Sequence, residues 1–250
     1  MKNAAIILAA GKGKRMKSDL PKVLHEIMGR PMVEHLIDTL LSLSMDKIVV
    51  VVGYKADLVK EKLSDYSNKV EFTLQSEQLG TGHAVLVTEE HFRDFEGNIL
   101  VVAGDVPFLS AKTLLHLIAI HTDEKVAATV LSSSPPDPSG YGRIVRTKDT
   151  NIVEYIVEHK DANDDELTIG EINTGTFCFD SKYLFDSLKE IRADNSQNEY
   201  YLTNIMEILR RRGLKAAIYM TDDPYEALGV NSVEQMADLE TRFGEKGRNL

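Results

Sequence analysis

Glycines and cations follow the first apolar segment of the chain. The run from Ala5 to Ala10 is typical of a strand buried on both faces, and it ends in Gly11-Lys-Gly-Lys-Arg15. Glycine permits tight turns and lets a ligand approach the backbone closely. Successive N–H groups in such a turn form a concave anion site, which neighbouring cations strengthen. The segment therefore predicts an oxyanion-binding loop at the carboxyl end of a central strand, where open α/β sheets usually bind ligands.

Two better-known phosphate motifs do not fit this loop. A dinucleotide fingerprint needs a third small residue where the chain has Met16, and a Walker A loop needs Gly-Lys-Ser/Thr where the chain has Met-Lys-Ser. An ordinary basic turn after a strand remains an alternative on spacing alone. Arg15, Pro21 and Lys22 follow within reach of one small ligand, and they favour the binding interpretation.

A carboxylate and two amides could complete such a site. Asp105 follows the apolar run Ile99–Ala103 within Gly-Asp-Val-Pro, and a carboxylate at a strand end can hold Mg²⁺ together with phosphates and waters. A turn or cap residue is the alternative. Gln75 and Gln78 precede Gly-Thr-Gly, and an amide carries the donor and acceptor that suit the edge of a uracil ring. Surface glutamines before a helix are the alternative there, and we expect His83 to be a packed helix residue.

Composition excludes several classes of protein. The net charge of −10 argues against a nucleic-acid partner, because a phosphate backbone would meet a repulsive average field. The single cysteine, Cys178, lies between two phenylalanines, which predicts a buried core thiol and leaves no disulfide. No stretch approaches the roughly 20 apolar residues of a membrane span. The first strand begins almost at once, so we expect no secretory signal and a cytoplasmic protein.

Alternating periodicities in the first half indicate the elements that position these residues. They predict strands at Ile48–Val52, Val70–Leu74 and Ile99–Ala103, and helices at Pro31–Leu43, Ala56–Leu63 and Gly80–Glu90. Such alternation predicts a parallel sheet with right-handed crossovers.

The pattern changes after Leu109. We expect a helix at Ala111–His121, a strand at Val126–Leu131, a Pro/Ser/Gly rim loop at Ser132–Gly140, a hairpin of Gly142–Thr147 and Ile152–Val157, and an acidic loop at Asp161–Glu166. A strand at Ile172–Phe179, helices at Tyr183–Ile191 and Tyr200–Arg211, a strand at Ala216–Tyr219 and a helix at Val233–Phe243 complete the prediction.

The glycine loop also carries a family resemblance. Leu8-Ala-Ala-Gly-Lys-Gly-Lys-Arg-Met16, with the later Pro21-Lys22, resembles the signature of the nucleotide-sugar pyrophosphorylases, usually L-x-A-G-x-G-T-R-M and P-K. The departure is Lys14, where the family commonly has Thr. Motifs from Gly140 to Thr203 resemble the N-acetylglucosamine-1-phosphate uridylyltransferases, whereas the glucose-1-phosphate enzymes typically have Glu-Lys-Pro where this chain has Glu158-His-Lys. The resemblance implies an α/β, Rossmann-like α/β/α nucleotide-diphospho-sugar transferase fold with a mostly parallel mixed sheet.

The resemblance also implies a role for each matching residue. Arg15 and Lys22 become the catalytic residues, and Asp105 and Asn231 the ligands of a Mg²⁺ cofactor. Asn231 alone would read as an N-cap of the last helix, and Asn204 stands where the family often has Asp. The nucleotide would be bound by Leu8, Ala10, Gly11, Gly13, Gln75, Gln78, Gly80 and Thr81, and the sugar or ribose by Gly140, Glu158, Asn173, Tyr201 and Thr203.

The implied reaction joins UTP and N-acetyl-α-glucosamine 1-phosphate to give UDP-N-acetylglucosamine, a peptidoglycan precursor, and pyrophosphate. The sugar phosphate is already an anion, so the enzyme needs alignment and charge stabilisation rather than a general base. A nucleotidyltransferase for another base or sugar is one alternative. A non-catalytic nucleotide-sugar-binding module is another, although such a module need not keep the metal and leaving-group residues.

We expect one nucleotidyltransferase domain over residues 1–250. Its nucleotide half would extend to about Leu109, its sugar half over about 110–231, and a C-terminal helix over 232–246. In many bacterial proteins that this domain resembles, a linker helix leads into a left-handed β-helix that acetylates glucosamine 1-phosphate and forms trimers. The hexapeptide repeats of such a helix do not occur in these residues, so we expect uridylyltransferase without acetyltransferase activity.

Overall fold

The computed structural model describes residues 1–16, 18–148 and 150–247, without the side chains of residues 14 and 245–247. The departure from the family signature at the Lys14 side chain therefore lies outside the described part. The first half contains β1 (Lys2–Ala9), β2 (Glu26–Ile27), β3 (Arg30–Pro31), α1 (Met32–Ser42), β4 (Lys47–Val52), α2 (Ala56–Lys62), β5 (Glu71–Leu74), α3 (Thr81–Leu86) and β6 (Gly97–Ala103).

The second half contains α4 (Ala111–Glu124), β7 (Ala128–Ser133), β8 (Arg143–Arg146), β9 (Val153–Val157), α5 (Asp164–Leu167), β10 (Ile172–Asp180), α6 (Ser181–Leu188), α7 (Ile205–Arg211), β11 (Ala216–Met220) and α8 (Val233–Gly247). Short 3-10 turns lie at Lys14–Met16, Lys22–Leu24, Ser64–Tyr66, Glu89–Phe92 and Leu202–Asn204.

One sheet passes through the centre of the molecule. Its order is β11-β7-β10-β6-β1-β4-β5, and the hairpin of β8 and β9 joins it through β10. The pairs β1–β4, β1–β6, β4–β5 and β7–β11 are parallel, whereas β10 is antiparallel to both β6 and β7. This mixed, mostly parallel sheet confirms the predicted fold class.

Alternate residues of β1 enter two separate cores. Ile6 packs in the layer that includes α3, α6 and α7, and Ile7 packs in the layer that includes α1, α2 and α4. Both isoleucines are fully buried, and burial of such a side chain contributes about 1.5–3 kcal/mol. The continuous apolar run of β1 is therefore explained by helices on both faces of the sheet. Within the described residues no helix has the length and apolar composition needed to cross a bilayer.

The observed elements differ locally from the predicted ones at three places. α3 ends at Leu86, and a 3-10 turn follows instead of helix to Glu90. The helix predicted from Tyr200 is absent at its start: Tyr201 is extended, the 3-10 turn Leu202–Asn204 follows, and α7 begins at Ile205. The acidic segment predicted as a loop contains α5, which begins with a capping box between Asn163 and Glu166.

Candidate active site

A cleft of about 330 Å³ opens at the carboxyl edge of the parallel strands. β1, β4 and β6 all run in the same direction, so the loops after them meet at this edge. Several residues that the sequence predicted line the cleft together: Leu8, Ala10, Gly11, Lys22, Gln75, Gln78, Gly80, Thr81 and Asp105. Val23, Ala84, Ala103 and Glu199 complete its wall. A larger cleft of about 810 Å³ lies beside Met1, Gly97 and Asp180, and it contains none of the predicted residues.

The loop after β1 requires glycine at position 13. Gly13 has φ +69°, and a Cβ there would lie 2.6 Å from Cβ of Lys22. A side chain at this position would therefore push Lys22 away from the loop. The N–H of Met16 donates to the carbonyl of Gly13 (2.9 Å) and closes the turn. The turn thus holds the stem of Lys22 against the predicted oxyanion loop.

Two cationic side chains and two side-chain oxygens that could bind a metal meet beside this loop. Lys22 Nζ donates to Asp105 Oδ2 and to Asn231 Oδ1, the latter at 2.6 Å. Arg15 Nη2 donates to the same Asn231 oxygen at 2.7 Å. The side chains of Lys22 and Asp105 are only 15% and 18% exposed. The four residues to which the family resemblance gives catalytic and metal-binding roles therefore form one cluster.

Asn231 reaches the cluster because its segment is fixed to the first half of the chain. The N–H of Val230 donates to the carbonyl of Asp105 (2.9 Å), and Tyr141 Oη and Asn231 Nδ2 both donate to the carbonyl of Gly229 (3.3 and 3.0 Å). Burial and the nearby charge of Asp105 raise the pKa of Tyr141 to about 12, so its hydroxyl stays a donor.

Ser232, and not Asn231, caps the last helix. The N–H of Gln235 donates to Ser232 Oγ at 3.2 Å, which is the bond that an N-cap side chain accepts. The side chain of Asn231 points its oxygen at Arg15 and Lys22 instead.

Gln75 is held rigidly at the other end of the cleft. It is 3% exposed, and its Nε2 donates to the carbonyl of Gly80 (3.1 Å) and lies 3.1 Å from Nδ1 of His83. His83, expected only to pack, thus also orients an amide. Gln78 is exposed, and its Nε2 donates to the carbonyl of Gln75 (3.1 Å).

The predicted sugar residues other than Gly140 lie around the hairpin of β8 and β9. Thr203 Oγ1 donates to Glu158 Oε1 (3.0 Å), and burial raises the pKa of this glutamate. Asn173 Oδ1 accepts from the N–H of Gly175 (3.1 Å). Tyr201 is buried, and its hydroxyl accepts from Gln197 Nε2 (2.7 Å). These residues lie outside the wall of the nucleotide cleft.

The glycine nearest these residues is Gly142 rather than Gly140. Gly140 is exposed with φ +81°, and a Cβ there would meet nothing within 4 Å. Gly142 is buried, its carbonyl accepts from the N–H of Asn173 (2.9 Å), and its Cβ would lie 3.4 Å from Glu158 Oε2. Sequence reasoning missed Gly142 and Tyr141, although both belong to the Gly-Tyr-Gly-Arg motif that it singled out.

Direct hydrogen bonds join the base and sugar segments. The N–H of Gly82 donates to the carbonyl of Tyr200 (2.7 Å), and the N–H of Leu202 donates to Thr81 Oγ1 (3.0 Å). Glu199, from the sugar segment, lines the nucleotide cleft. The two predicted sets of residues are therefore parts of one continuous surface.

The oxygen donors of the cluster fit a magnesium ion that is also bound by substrate. Asp105 offers a carboxylate oxygen and Asn231 an amide oxygen, and both oxygens accept a hydrogen bond from Lys22 Nζ. In the described part of the chain, no group of three or more His, Cys, Asp or Glu side chains could hold a metal. Mg²⁺ commonly takes one or two protein oxygens and completes its shell with phosphate and water, so this sparse donor set suits it.

Comparisons with known proteins agree with the fold. Residues 5–201 match the family described as MobA-like NTP transferase domain. The bifunctional protein GlmU of Streptococcus uberis is 50% identical over 241 residues, 96% of this chain and 52% of that protein. That of Latilactobacillus sakei is 51% identical over 227 residues, 91% of this chain and 48% of that protein. The chain thus spans about half the length of the curated relatives it matches.

The fold also matches a solved structure. The crystal structure of UDP-glucose pyrophosphorylase complexed with UDP-glucose superimposes with a TM-score of 0.76 at 18% identity, covering 98% of this chain and 100% of that one. At this identity the likeness concerns the fold alone. With the family matched over residues 5–201, the chain belongs to the MobA-like NTP transferase family.

Proposed function

We propose that this chain transfers the uridylyl group of UTP to N-acetyl-α-glucosamine 1-phosphate, forming UDP-N-acetylglucosamine and pyrophosphate. The observation that carries the proposal is the cluster of Arg15, Lys22, Asp105 and Asn231 beside a cleft that ends at Gln75. A binding module needs no such pairing of metal donors and phosphate-binding cations. The identity of 50% over 96% of this chain to the bifunctional protein GlmU of Streptococcus uberis supports the proposal.

The reaction is an in-line displacement at phosphorus. An oxygen of the sugar phosphate attacks the α-phosphorus of UTP, and the bond to the bridging oxygen breaks as the new bond forms. The electron pair leaves with pyrophosphate. The attacking group is already ionised, so no side chain has to remove a proton. The work of the protein is to align two polyanions and to stabilise the charge that develops.

Each segment of the cleft has a separate task in this scheme. The backbone of the loop from Gly11 to Gly13 holds the triphosphate, Arg15 contacts the leaving pyrophosphate, and Lys22 contacts the phosphates near the reacting centre. Bound Mg²⁺ on Asp105 and Asn231 would neutralise phosphate charge. Gln75 and Gln78 would contact the uracil edge.

The second half of the chain would supply the sugar contacts. Glu158 and Thr203 are already hydrogen-bonded to each other (3.0 Å), and together they offer an acceptor and a hydroxyl to the substrate. Asn173 lies beside them through its bond to Gly142. We propose that the nucleotide half ends near Leu109 and that the sugar half extends to about residue 231.

A turnover assay separates this function from the alternatives. Pyrophosphate release would be measured with UTP, dTTP, ATP, GTP and CTP, each with N-acetylglucosamine 1-phosphate, glucose 1-phosphate or no acceptor. We expect the highest kcat/KM for UTP with N-acetylglucosamine 1-phosphate. A higher value for another pair would identify a related nucleotidyltransferase. No release with any pair, from protein that binds UDP-N-acetylglucosamine, would indicate the non-catalytic module.

The metal assignment has its own test. Asp105→Asn keeps the side-chain shape and removes the charge that a hard cation needs. We expect Mg²⁺-dependent turnover to fall by roughly 10²-fold or more, with an unchanged circular dichroism spectrum. Asp57→Asn, on the exposed first turn of α2, is the control and should retain activity. Near-normal turnover of Asp105→Asn at low millimolar Mg²⁺ would place the metal elsewhere.

A further inference from the structure

We propose that Lys22 and a divalent cation exchange at one position. The Lys22 ammonium lies between Asp105 and Asn231, and a cation that binds these two residues displaces it towards the nucleotide phosphates. This inference rests on the proposed function, because it uses the same two oxygen donors. It adds that the phosphate-binding lysine is withheld until the metal binds.

The proposal is based on the two oxygen contacts of the Lys22 ammonium. Its Nζ donates to Asp105 Oδ2 and to Asn231 Oδ1 (2.6 Å), so one monovalent cation bridges both oxygens. Mg²⁺ would bind these oxygens at about 2.0–2.1 Å. An ammonium and a divalent cation cannot share that space, since their charges repel strongly at such a distance. Occupation by one therefore requires departure of the other.

The surroundings of Lys22 allow a short movement. Its stem packs against the oxyanion loop, where a Cβ on Gly13 would lie 2.6 Å from the Lys22 Cβ. The ammonium is carried on four flexible methylenes, unlike a planar guanidinium. Rotation about these bonds can move the charge from the Asp105 side to the loop without movement of the backbone. Arg15 donates separately to the same Asn231 oxygen (2.7 Å).

The exchange couples metal binding to nucleotide binding. While Lys22 neutralises Asp105, its charge is unavailable to the phosphates, and its ammonium blocks the position at which the metal would bind. Binding of the metal releases the lysine for the phosphates, and binding of the phosphates draws the lysine away from the metal donors. By linkage, each ligand raises the affinity for the other by the same factor.

Metal binding without nucleotide tests the exchange. Mn²⁺ affinity would be measured by electron paramagnetic resonance for the unmutated protein, Lys22→Met and Lys12→Met. Lys12 is the matched control, because it lies in the same loop but holds its ammonium over the Tyr54 ring, 5.1 Å from the centroid. We expect Lys22→Met to bind Mn²⁺ at least about tenfold more tightly, and Lys12→Met to change by less than about threefold. Equal affinity of the two variants, or binding by neither, would overturn the exchange.

The unmutated protein provides an independent readout. Brief acylation of lysines with an N-hydroxysuccinimide ester, followed by mass spectrometry, reports how free each amine is. Saturating Mg²⁺ without nucleotide should raise modification of Lys22 severalfold relative to Lys12. Unchanged modification under conditions where Mn²⁺ binds would also overturn the exchange. Pyrophosphate release is measured separately, so loss of the proposed activity with retained exchange would reject the function and not this inference.

Discussion

Single residues differ in how far their roles can be read from sequence. Arg15 and Lys22 accompany the glycine loop after β1, and their charges predict an anion site there. The metal role of Asp105 depended on the family resemblance, because a turn or cap residue was the alternative. Asn231 could be assigned only through family resemblance, because its position depends on the bond from Val230 to Asp105. Tyr141 could not be assigned, since nothing local predicts that its hydroxyl reaches Gly229.

Asn173 offers a test of sugar discrimination. A site with polar groups for the acetamide leaves them unpaired when the acetamide is absent, so we expect a preference for N-acetylglucosamine 1-phosphate over glucose 1-phosphate. Asn173→Ala should narrow the ratio of the two kcat/KM values by roughly tenfold. Asn173→Asp keeps the oxygen that accepts from the Gly175 N–H (3.1 Å) but lacks the amide donor. Comparison with Asn173→Ala therefore separates the effect of losing this turn bond from the effect of losing the amide donor. An unchanged ratio in both variants would contradict the assignment.

His121 predicts how stability depends on pH. Nδ1 of this buried histidine lies 3.1 Å from Thr129 Oγ1. Burial lowers the pKa of His121 from 6.5 to about 4. As the pH falls, the unfolded chain therefore binds a proton before the folded one does. The free energy of unfolding should decrease by roughly 3 kcal/mol between about pH 6.5 and about pH 4. In denaturant titrations His121→Gln should lose this contribution, and an identical slope in both proteins would show that His121 does not cause it.

At the scale of elements, long apolar runs were predictable and short junctions were not. The central strands β1, β4 and β6 lie within two residues of their predicted ends, apart from the extra residues at the start of β1. The helix expected from Tyr200 begins late because tertiary bonds take its backbone, namely those from Gly82 to Tyr200 and from Leu202 to Thr81. The helix α5 was missed, although Asn163 and Glu166 carry a readable capping box.

Gly80 tests the junction between α3 and the sugar segment. It has φ +113°, and a Cβ there would lie 2.7 Å from the backbone N and O of Tyr200. Gly80→Ala should lower the free energy of unfolding by roughly 2–4 kcal/mol, because backbone strain and a clash coincide. Gly213 has φ +73° but open space, so Gly213→Ala should cost only about 1 kcal/mol. If thermal unfolding showed equal losses of stability for Gly80→Ala and Gly213→Ala, the positive φ alone, and not the clash with Tyr200, would explain the loss.

At the scale of the whole molecule, the alternation of strands and helices predicted a parallel sheet but not the antiparallel direction of β10. The antiparallel β10 pairs with β6 of the first half and β7 of the second, and no sequence signal fixed its direction. The two proposed halves thus share one sheet. Their division concerns which substrate they contact, and it does not separate two cores, since both Ile6 and Phe177 lie in one cluster.

The shared sheet predicts a single cooperative unfolding transition. Amide hydrogen exchange at β4 and β7 should show the same free energy of opening at moderate denaturant, since either half loses a sheet neighbour when the other unfolds. The measurement compares slow amides of Val50 and Val130, both fully buried. Protection of β4 that persists after β7 has opened would indicate two independent units.

The bonds between Gly82 and Tyr200 and between Thr81 and Leu202 also constrain how specificity can be re-engineered. A chimera that imports only the base-contacting segment of a relative would pair it with a foreign sugar segment across these bonds. The interface between the segments includes glycines whose added Cβ atoms would meet the Tyr200 backbone, so few mismatches are tolerated. Residues 79–82 and 199–203 should therefore be exchanged as one cassette. Changes in nucleotide choice and sugar choice would then tend to arise together in directed evolution.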